Sequence, residues 1–129
     1  MWYDSRLLFA QICIRLDHTP ACSLVGLSRE FQVGARTIQN IVTSMTGGVT
    51  FSSFKDDILI ARLTRLFLAR PFSPVKELSF DLGYKCSRTF ARAVRRACGV
   101  SAAELRKRIV SEAAAQKTPS ATKAATTVH

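Results

Sequence analysis

The chain has 129 residues, 47% of them hydrophobic, and its formal net charge is +10. This length suits one compact unit, or two small lobes on a shared helix, and the apolar content excludes disorder across most of the chain. The excess of cations favours an anionic partner, which leaves nucleic acid, an acidic protein and an anionic membrane surface as candidates.

The sequence predicts neither a membrane segment nor a metal site. No apolar run reaches the ~18–20 residues that are needed to span a bilayer. The four cysteines form no CxxC pair and no CxxH or HxxC pair with a histidine, which argues against structural zinc. We expect no metal or other cofactor, and we expect reduced, partly buried thiols in a cytoplasmic protein. These cysteines are Cys13, Cys22, Cys86 and Cys98.

Apolar residues with helical spacing predict three helices in the first part of the chain. The first runs from Tyr3 to Leu16 and is stopped by the segment that ends in Pro20. Ser23 is expected to cap the second, which ends at a turn of residues 32–34. The third is predicted to begin at Ala35 and to stop at a pair of glycines. Its inward residues are expected to be Ile38, Ile41, Val42 and Met45.

Four more helices are predicted in the second part of the chain. A long helix from about Ser52 to Arg70, capped by Thr50, would span about 28 Å at 1.5 Å per residue. A short apolar helix and a cationic helix that begins near Ser87 come next. Ser101 is expected to cap the final helix, which we predict to end near Val110, followed by a mobile tail.

The short apolar helix and the cationic helix are joined by a tight turn at Gly83, which is typical of a helix-turn-helix. No acidic residue lies between Asp81 and Glu104, so the second helix has the charge to enter a DNA major groove. The alternative is an ordinary helical pair whose arginines simply face solvent. An internal repeat favours the first interpretation, because Leu27-Ser28 and Leu78-Ser79 begin matching units.

Three segments in the second half of the chain carry a family signature. They are Leu78-Ser79-Phe80-Asp81-Leu82-Gly83-Tyr84, Phe90-Ala91-Arg92-Ala93-Val94-Arg95-Arg96, and Gly99-Val100-Ser101 with Arg106. In these segments the chain resembles AraC/XylS-type transcription regulators, and the resemblance extends over about residues 5–108. It implies an all-α fold of about seven helices, with two helix-turn-helix lobes on a long linker helix that bind successive major grooves.

The predicted elements and the resemblance together divide the chain. We assign residues 1–49 to the first helix-turn-helix lobe, 50–71 to the linker helix, 72–110 to the second lobe and 111–129 to a disordered tail. The first lobe departs more from the family pattern, because Gln32 replaces the usual turn glycine and Gly48 is inserted before the linker. We therefore expect the second lobe to be the principal reader of DNA sequence.

Helical geometry selects the candidate DNA-binding residues. Arg88 and Arg92 lie one turn apart, away from inward-facing Phe90, and arginine can bind guanine as a fork. The matching region of the first recognition helix carries glutamine and asparagine, which suit adenine. For Arg95 and Arg96 we expect phosphate-binding or structural roles. The predicted set is Arg36, Gln39, Asn40, Lys85, Ser87, Arg88, Arg92, Arg95 and Arg96. For each residue the alternatives are backbone contact and plain exposure.

The sequence does not predict an enzyme, because His18 lies in a turn and adjacent Asp56 and Asp57 face different sides of their helix.

Two functions stay open. The first is a sequence-specific DNA-binding module of a transcription regulator. Its partners would be double-stranded DNA, RNA polymerase, and a sensor or dimerisation domain outside this chain. The second is an AraC-like interaction module that binds an acidic protein partner, or nucleic acid nonspecifically.

Overall fold

Seven α-helices make up the fold in the computed structural model, which describes residues 4–127 and their side chains up to residue 116. In chain order they are α1 (Ser5–His18), α2 (Leu24–Phe31), α3 (Ala35–Met45), α4 (Phe51–Ala69), α5 (Val75–Asp81), α6 (Ser87–Cys98) and α7 (Ala102–Thr127). No strand occurs in this part of the chain. The predicted all-α architecture is therefore confirmed.

Two clusters of buried side chains form the cores, and α4 contributes to both. The first core belongs to α1, α2, α3 and the start of α4, and comprises Leu8, Ile12, Leu16, Leu27, Ile38, Ile41, Val42 and Phe51. The second comprises Leu59, Leu63, Phe67, Leu78, Leu82, Tyr84, Phe90, Ala93, Val94 and Ala102. Helix α4 has 19 residues and is about 28 Å long. It therefore links the two helix-turn-helix units as one continuous element.

Hydroxyl side chains cap the helices where the sequence predicted them. The side-chain oxygens of Ser23, Thr50 and Ser101 each accept a hydrogen bond from the backbone N–H three residues later, at 3.0–3.2 Å. Such bonds satisfy N–H groups that have no partner within the first turn of a helix. The carboxylate of Asp4 also caps α1, where it accepts a hydrogen bond from the N–H of Arg6, two residues later, at 2.9 Å.

The two units repeat each other at the level of backbone hydrogen bonds. In the first unit the N–H of Val33 donates to the carbonyl of Ser28 at 3.2 Å. In the second unit the N–H of Tyr84 donates to the carbonyl of Ser79 at 3.1 Å. Both bonds close the turn between the two helices of a unit and satisfy a carbonyl at the end of the first helix.

The residue before each of these donors lies in the left-handed region of backbone space. Gly83 has φ of +95°, and Gln32 at the equivalent position has φ of +57°. Gln32 is the one non-glycine residue with positive φ in the described part of the chain. The first unit thus keeps the turn geometry although it lacks the glycine.

Two features of the fold differ from the prediction. Met45 was expected to face inward, but it is 40% exposed, because as the last residue of α3 it lies at the rim of a small cleft beside Ser5. Helix α7 was expected to end near Val110, but it continues to Thr127. The high helix propensity of Ala113, Ala114 and Ala115, which apolar spacing does not show, accounts for the first turn beyond Val110. Nothing in the sequence explains the continuation past Pro119. Mobility of this tail stays a prediction. Residues 128 and 129 lie outside the described residues, as does the predicted start of the first helix at Tyr3.

We expect Gln32→Gly to stabilise the protein by about 0.5–1 kcal/mol. The left-handed conformation costs a non-glycine residue about 1–2 kcal/mol, and the greater freedom of glycine in the unfolded chain offsets about 0.5–1 kcal/mol of that gain. Urea denaturation measures the difference. Gln32→Ala is the matched control, since alanine keeps the unfavourable φ and should change the free energy of unfolding by less than about 0.5 kcal/mol. Equal stability of the two variants would contradict this account of the turn.

Candidate nucleic-acid interface

The face of α6 that points away from the second core carries three arginines. Arg88, Arg92 and Arg95 follow one another at i, i+4 and i+7, and all three are exposed. None of them forms an ion pair with another residue in the described part of the chain. We call these three residues the cationic stripe. Their charges are free to meet an anionic partner.

Helix α3 presents a matching row. Arg36, Asn40 and Thr43 have the same spacing, are exposed, and lie opposite the buried face of α3. They occupy positions equivalent to the three members of the cationic stripe, and we call them the polar stripe. Thr43 was not among the predicted site residues. The position of Arg95 within the repeat was the signal that could have identified it.

The remaining predicted residues lie beside these stripes. Gln39 is exposed on α3 but falls outside the i, i+4, i+7 row. Lys85 is exposed in the turn before α6, and Ser87 is exposed at its first residue. Arg88, Arg92 and Arg95 thus share one exposed face of α6. For Arg95 the sequence predicted a phosphate-binding or structural role, which stays a prediction.

Arg96 points sideways from α6 to the linker helix. Its guanidinium lies 2.8 Å (Nη2 to Oδ1) and 3.4 Å (Nε to Oδ2) from the carboxylate of Asp56, whose side chain is only 16% exposed. This hydrogen bond raises the pKa of Arg96 above its ordinary value. The pKa of neighbouring Lys55 is lowered by burial and by the charge of Arg96. The pair joins α6 to α4. The phosphate-binding role that was also expected for Arg96 stays a prediction.

Arg106, the last residue of the family signature, also has structural contacts. Its guanidinium donates a hydrogen bond to the backbone carbonyl of Ser73. The same group lies 5.8 Å from the centre of the Phe67 ring, within the range of a cation–π interaction. Arg106 therefore ties α7 to the end of α4 and to the loop before α5, which supports the second unit from behind.

The four cysteines are free thiols. Burial raises the pKa of Cys13. Cys86 is exposed at the N-cap of α6, where its thiol makes no regular capping hydrogen bond. The backbone N–H groups of Thr89 and Arg88 nevertheless favour its thiolate and lower its pKa. No group of three or more metal-ligand side chains comes together among the residues whose side chains are described.

Two tandem helix-turn-helix units, the second with a cationic outer face, define an α-helical DNA-binding domain. The profile of a helix-turn-helix domain family matches residues 27–108, which include α3 and α6, the second helices of the two units. The chain belongs to this family, the AraC-type helix-turn-helix regulators. It is thus a DNA-binding regulatory domain.

A solved structure has the same fold. The C-terminal domain of AraT, a response regulator from Geobacillus stearothermophilus, is similar with a TM-score of 0.63 and 19% sequence identity. The match covers 80% of this chain and 83% of that chain. A comparison with curated proteins gave no match. Among the described residues, none of the helices combines the length and the apolar composition that a membrane span requires.

We expect Asp56→Ala to lower the free energy of unfolding by about 1 kcal/mol, because it removes a paired, charge-assisted hydrogen bond between α4 and α6. Asp57→Ala is the matched control. Asp57 is the next residue, is exposed and has no ion pair within the described side chains, so its loss should change stability by less than about 0.5 kcal/mol. Urea denaturation of both variants provides the comparison. Equal effects would show that the Asp56–Arg96 pair does not stabilise the fold.

Proposed function

We propose that the chain is a sequence-specific DNA-binding domain that inserts α3 and α6 into successive major grooves. The observation that carries this proposal is the equivalence of the two stripes. Both recognition helices expose side chains at the same three positions, on the side opposite their own core. In both helices this outward row begins with an arginine, Arg36 in α3 and Arg88 in α6, an arrangement that suits two helices that meet the same anionic ligand.

The chemistry of the cationic stripe suits guanine and phosphate. Arg88 and Arg92 lie towards the N-terminal end of α6, the part of a recognition helix that meets base edges. Each can donate two hydrogen bonds to O6 and N7 of guanine. In this proposal Arg95 binds phosphate oxygens, together with Lys85 in the turn before α6 and Ser87 at its first residue.

The polar stripe suits a weaker and different readout. Asn40, and Gln39 beside it, can pair with N6 and N7 of adenine, and Arg36 can bind guanine or phosphate. Helix α3 carries one arginine, against four in α6. We therefore propose that the second unit supplies most of the affinity, while the first unit extends the recognised sequence.

The dimensions of the linker are compatible with this arrangement. Successive major grooves on one face of DNA lie about 34 Å apart. Helix α4 is about 28 Å long, so simultaneous insertion requires nearly parallel recognition helices or a bend in the DNA. RNA polymerase and a sensor or dimerisation domain outside this chain remain proposals that rest on the family resemblance.

Affinity for duplex DNA should depend steeply on salt. With roughly six phosphate contacts, we expect log K to fall against log salt concentration with a slope near −5, because each neutralised phosphate releases counterions. Fluorescence anisotropy with a labelled duplex between about 50 and 200 mM salt measures this slope. A slope near zero would rule out phosphate binding, and with it the proposed function.

Selection of bound duplexes from a random pool tests sequence specificity. On a selected site, we expect Arg92→Ala to cost about 1–3 kcal/mol and to relax the preference at one base pair. Arg36→Ala should cost less. Arg108→Ala is the matched control, because it removes the same charge from α7, where Arg108 pairs with Glu104.

Three results would contradict this assignment of roles. Enrichment of no sequence would favour the alternative, an interaction module for acidic proteins or for nucleic acid without sequence preference. Equal losses of affinity for Arg92→Ala and Arg108→Ala would show that the cationic stripe contributes only through its overall charge and not through specific base contacts. A larger loss for Arg36→Ala than for Arg92→Ala would make the first unit the principal reader.

A further inference from the structure

The loop between α1 and α2 reaches across from the first unit to the second. The backbone N–H of Ala21 donates a hydrogen bond to the carbonyl of Leu82 at 3.3 Å. Ala21 is partly buried against the second core, and Pro20 beside it is buried. A loop that belongs to the first unit thus completes the packing of the second.

Gly83 lies at the centre of this contact. A Cβ atom on Gly83 would lie 2.4 Å from Cγ2 of Thr19 and 3.5 Å from Cβ of Ala21. The first of these distances is far below van der Waals contact, so the absence of a side chain allows the loop to approach. We call the contact of Thr19, Pro20 and Ala21 with Leu82 and Gly83 the interlobe contact.

Glycine at position 83 could be required by its positive φ or by the space that the loop needs, and the turn of the first unit distinguishes the two. Gln32 occupies the equivalent position of the first unit, also with positive φ, and its side chain is exposed. The turn itself therefore accepts a full side chain. Position 83 differs because a side chain there would occupy the space of the loop between α1 and α2. The turn glycine of the second unit therefore affects where the first unit lies.

The interlobe contact is a second connection between the units, apart from α4. If α4 were the sole connection, any bend of that helix would change the angle between α3 and α6. The interlobe contact lies beside α4 and restricts such bending. Close to the loop, the ion pair between Asp17 and Arg65, at 2.9 Å, also holds the end of α1 against α4. With two connections, the two units have much less freedom to change their relative orientation than with α4 alone.

We propose that the interlobe contact fixes the angle between the recognition helices, and thereby the spacing of the two half-sites that the domain accepts. Thr19 and Gly83 are its positioning residues. The proposal rests on the proposed function, since half-sites require both helices to bind DNA. One added base pair displaces a half-site by about 3.4 Å and rotates it by about 35°. A domain with a fixed angle cannot follow such a change.

The test uses a selected site and duplexes in which one or two base pairs are added or removed between its half-sites. For the unaltered protein we expect affinity to fall about tenfold or more with each added or removed base pair, because one helix loses its base contacts. Gly83→Ala should push the loop away, and the ratio of affinities between correct and altered spacing should then fall to about threefold or less.

Two further variants isolate the contact from backbone strain. Gly99→Ala is the matched control, because Gly99 has φ of +83° but a Cβ atom there would meet nothing within 4 Å, so spacing preference should stay unaltered. Thr19→Ser removes the methyl group that would clash. In the double variant Thr19→Ser with Gly83→Ala, the sharp preference should return although the strain at position 83 persists.

Thr19→Phe serves if Gly83→Ala does not fold. The larger side chain at position 19 should also push the loop away from Gly83, without placing a non-glycine residue in the left-handed region. The affinity difference between correct and altered spacing should again become small. An unaltered spacing profile in the folded variants would overturn this inference and leave the proposed function intact. Failure of the unaltered protein to bind any selected duplex would overturn both.

Discussion

Burial of α4 in two cores at once is the constraint on which the rest of the structure depends. Its first part packs into the first core through Phe51, with Phe54 and Ile58 partly buried beside it, and its second part enters the second core through Leu59 and Phe67. Helices in proteins take most of their stability from tertiary packing rather than from intrinsic propensity. Each unit therefore stabilises a part of α4 that the other unit needs, and both recognition helices take their positions from the same element.

The arginines of α6 illustrate how one helix serves both stability and binding. Arg96 faces α4 and pairs with a largely buried carboxylate, whereas the three arginines of the cationic stripe face away from the protein. The difference follows from helical geometry, because Arg95 and Arg96 are adjacent and so point about 100° apart. One arginine secures the orientation of the helix, and the others remain available on its outer face.

Local patterns made most of the fold predictable from the sequence. The caps of Ser23, Thr50 and Ser101 depend on residues three positions away, and apolar spacing identified the inward faces. Periodicity shows which side of a helix is buried but not which element it meets. The pairing of Arg96 with Asp56 and the contact of Ala21 with Leu82 join residues far apart in the chain, and no local pattern indicates them. The place of Thr43 in the polar stripe was not predicted for a different reason, because a threonine carries no charge signal.

The cationic stripe has a consequence for the protein when it is not bound. Like charges at i, i+4 spacing on a helix repel one another by about 0.2–0.5 kcal/mol per pair, and no acidic residue on α6 offsets this repulsion. The surface that suits a polyanion is thus a source of instability in its absence. A bound phosphate backbone would act as the missing counter-charge, so occupancy and thermal stability should rise together. Selection for tight binding at this surface then opposes selection for a stable free domain.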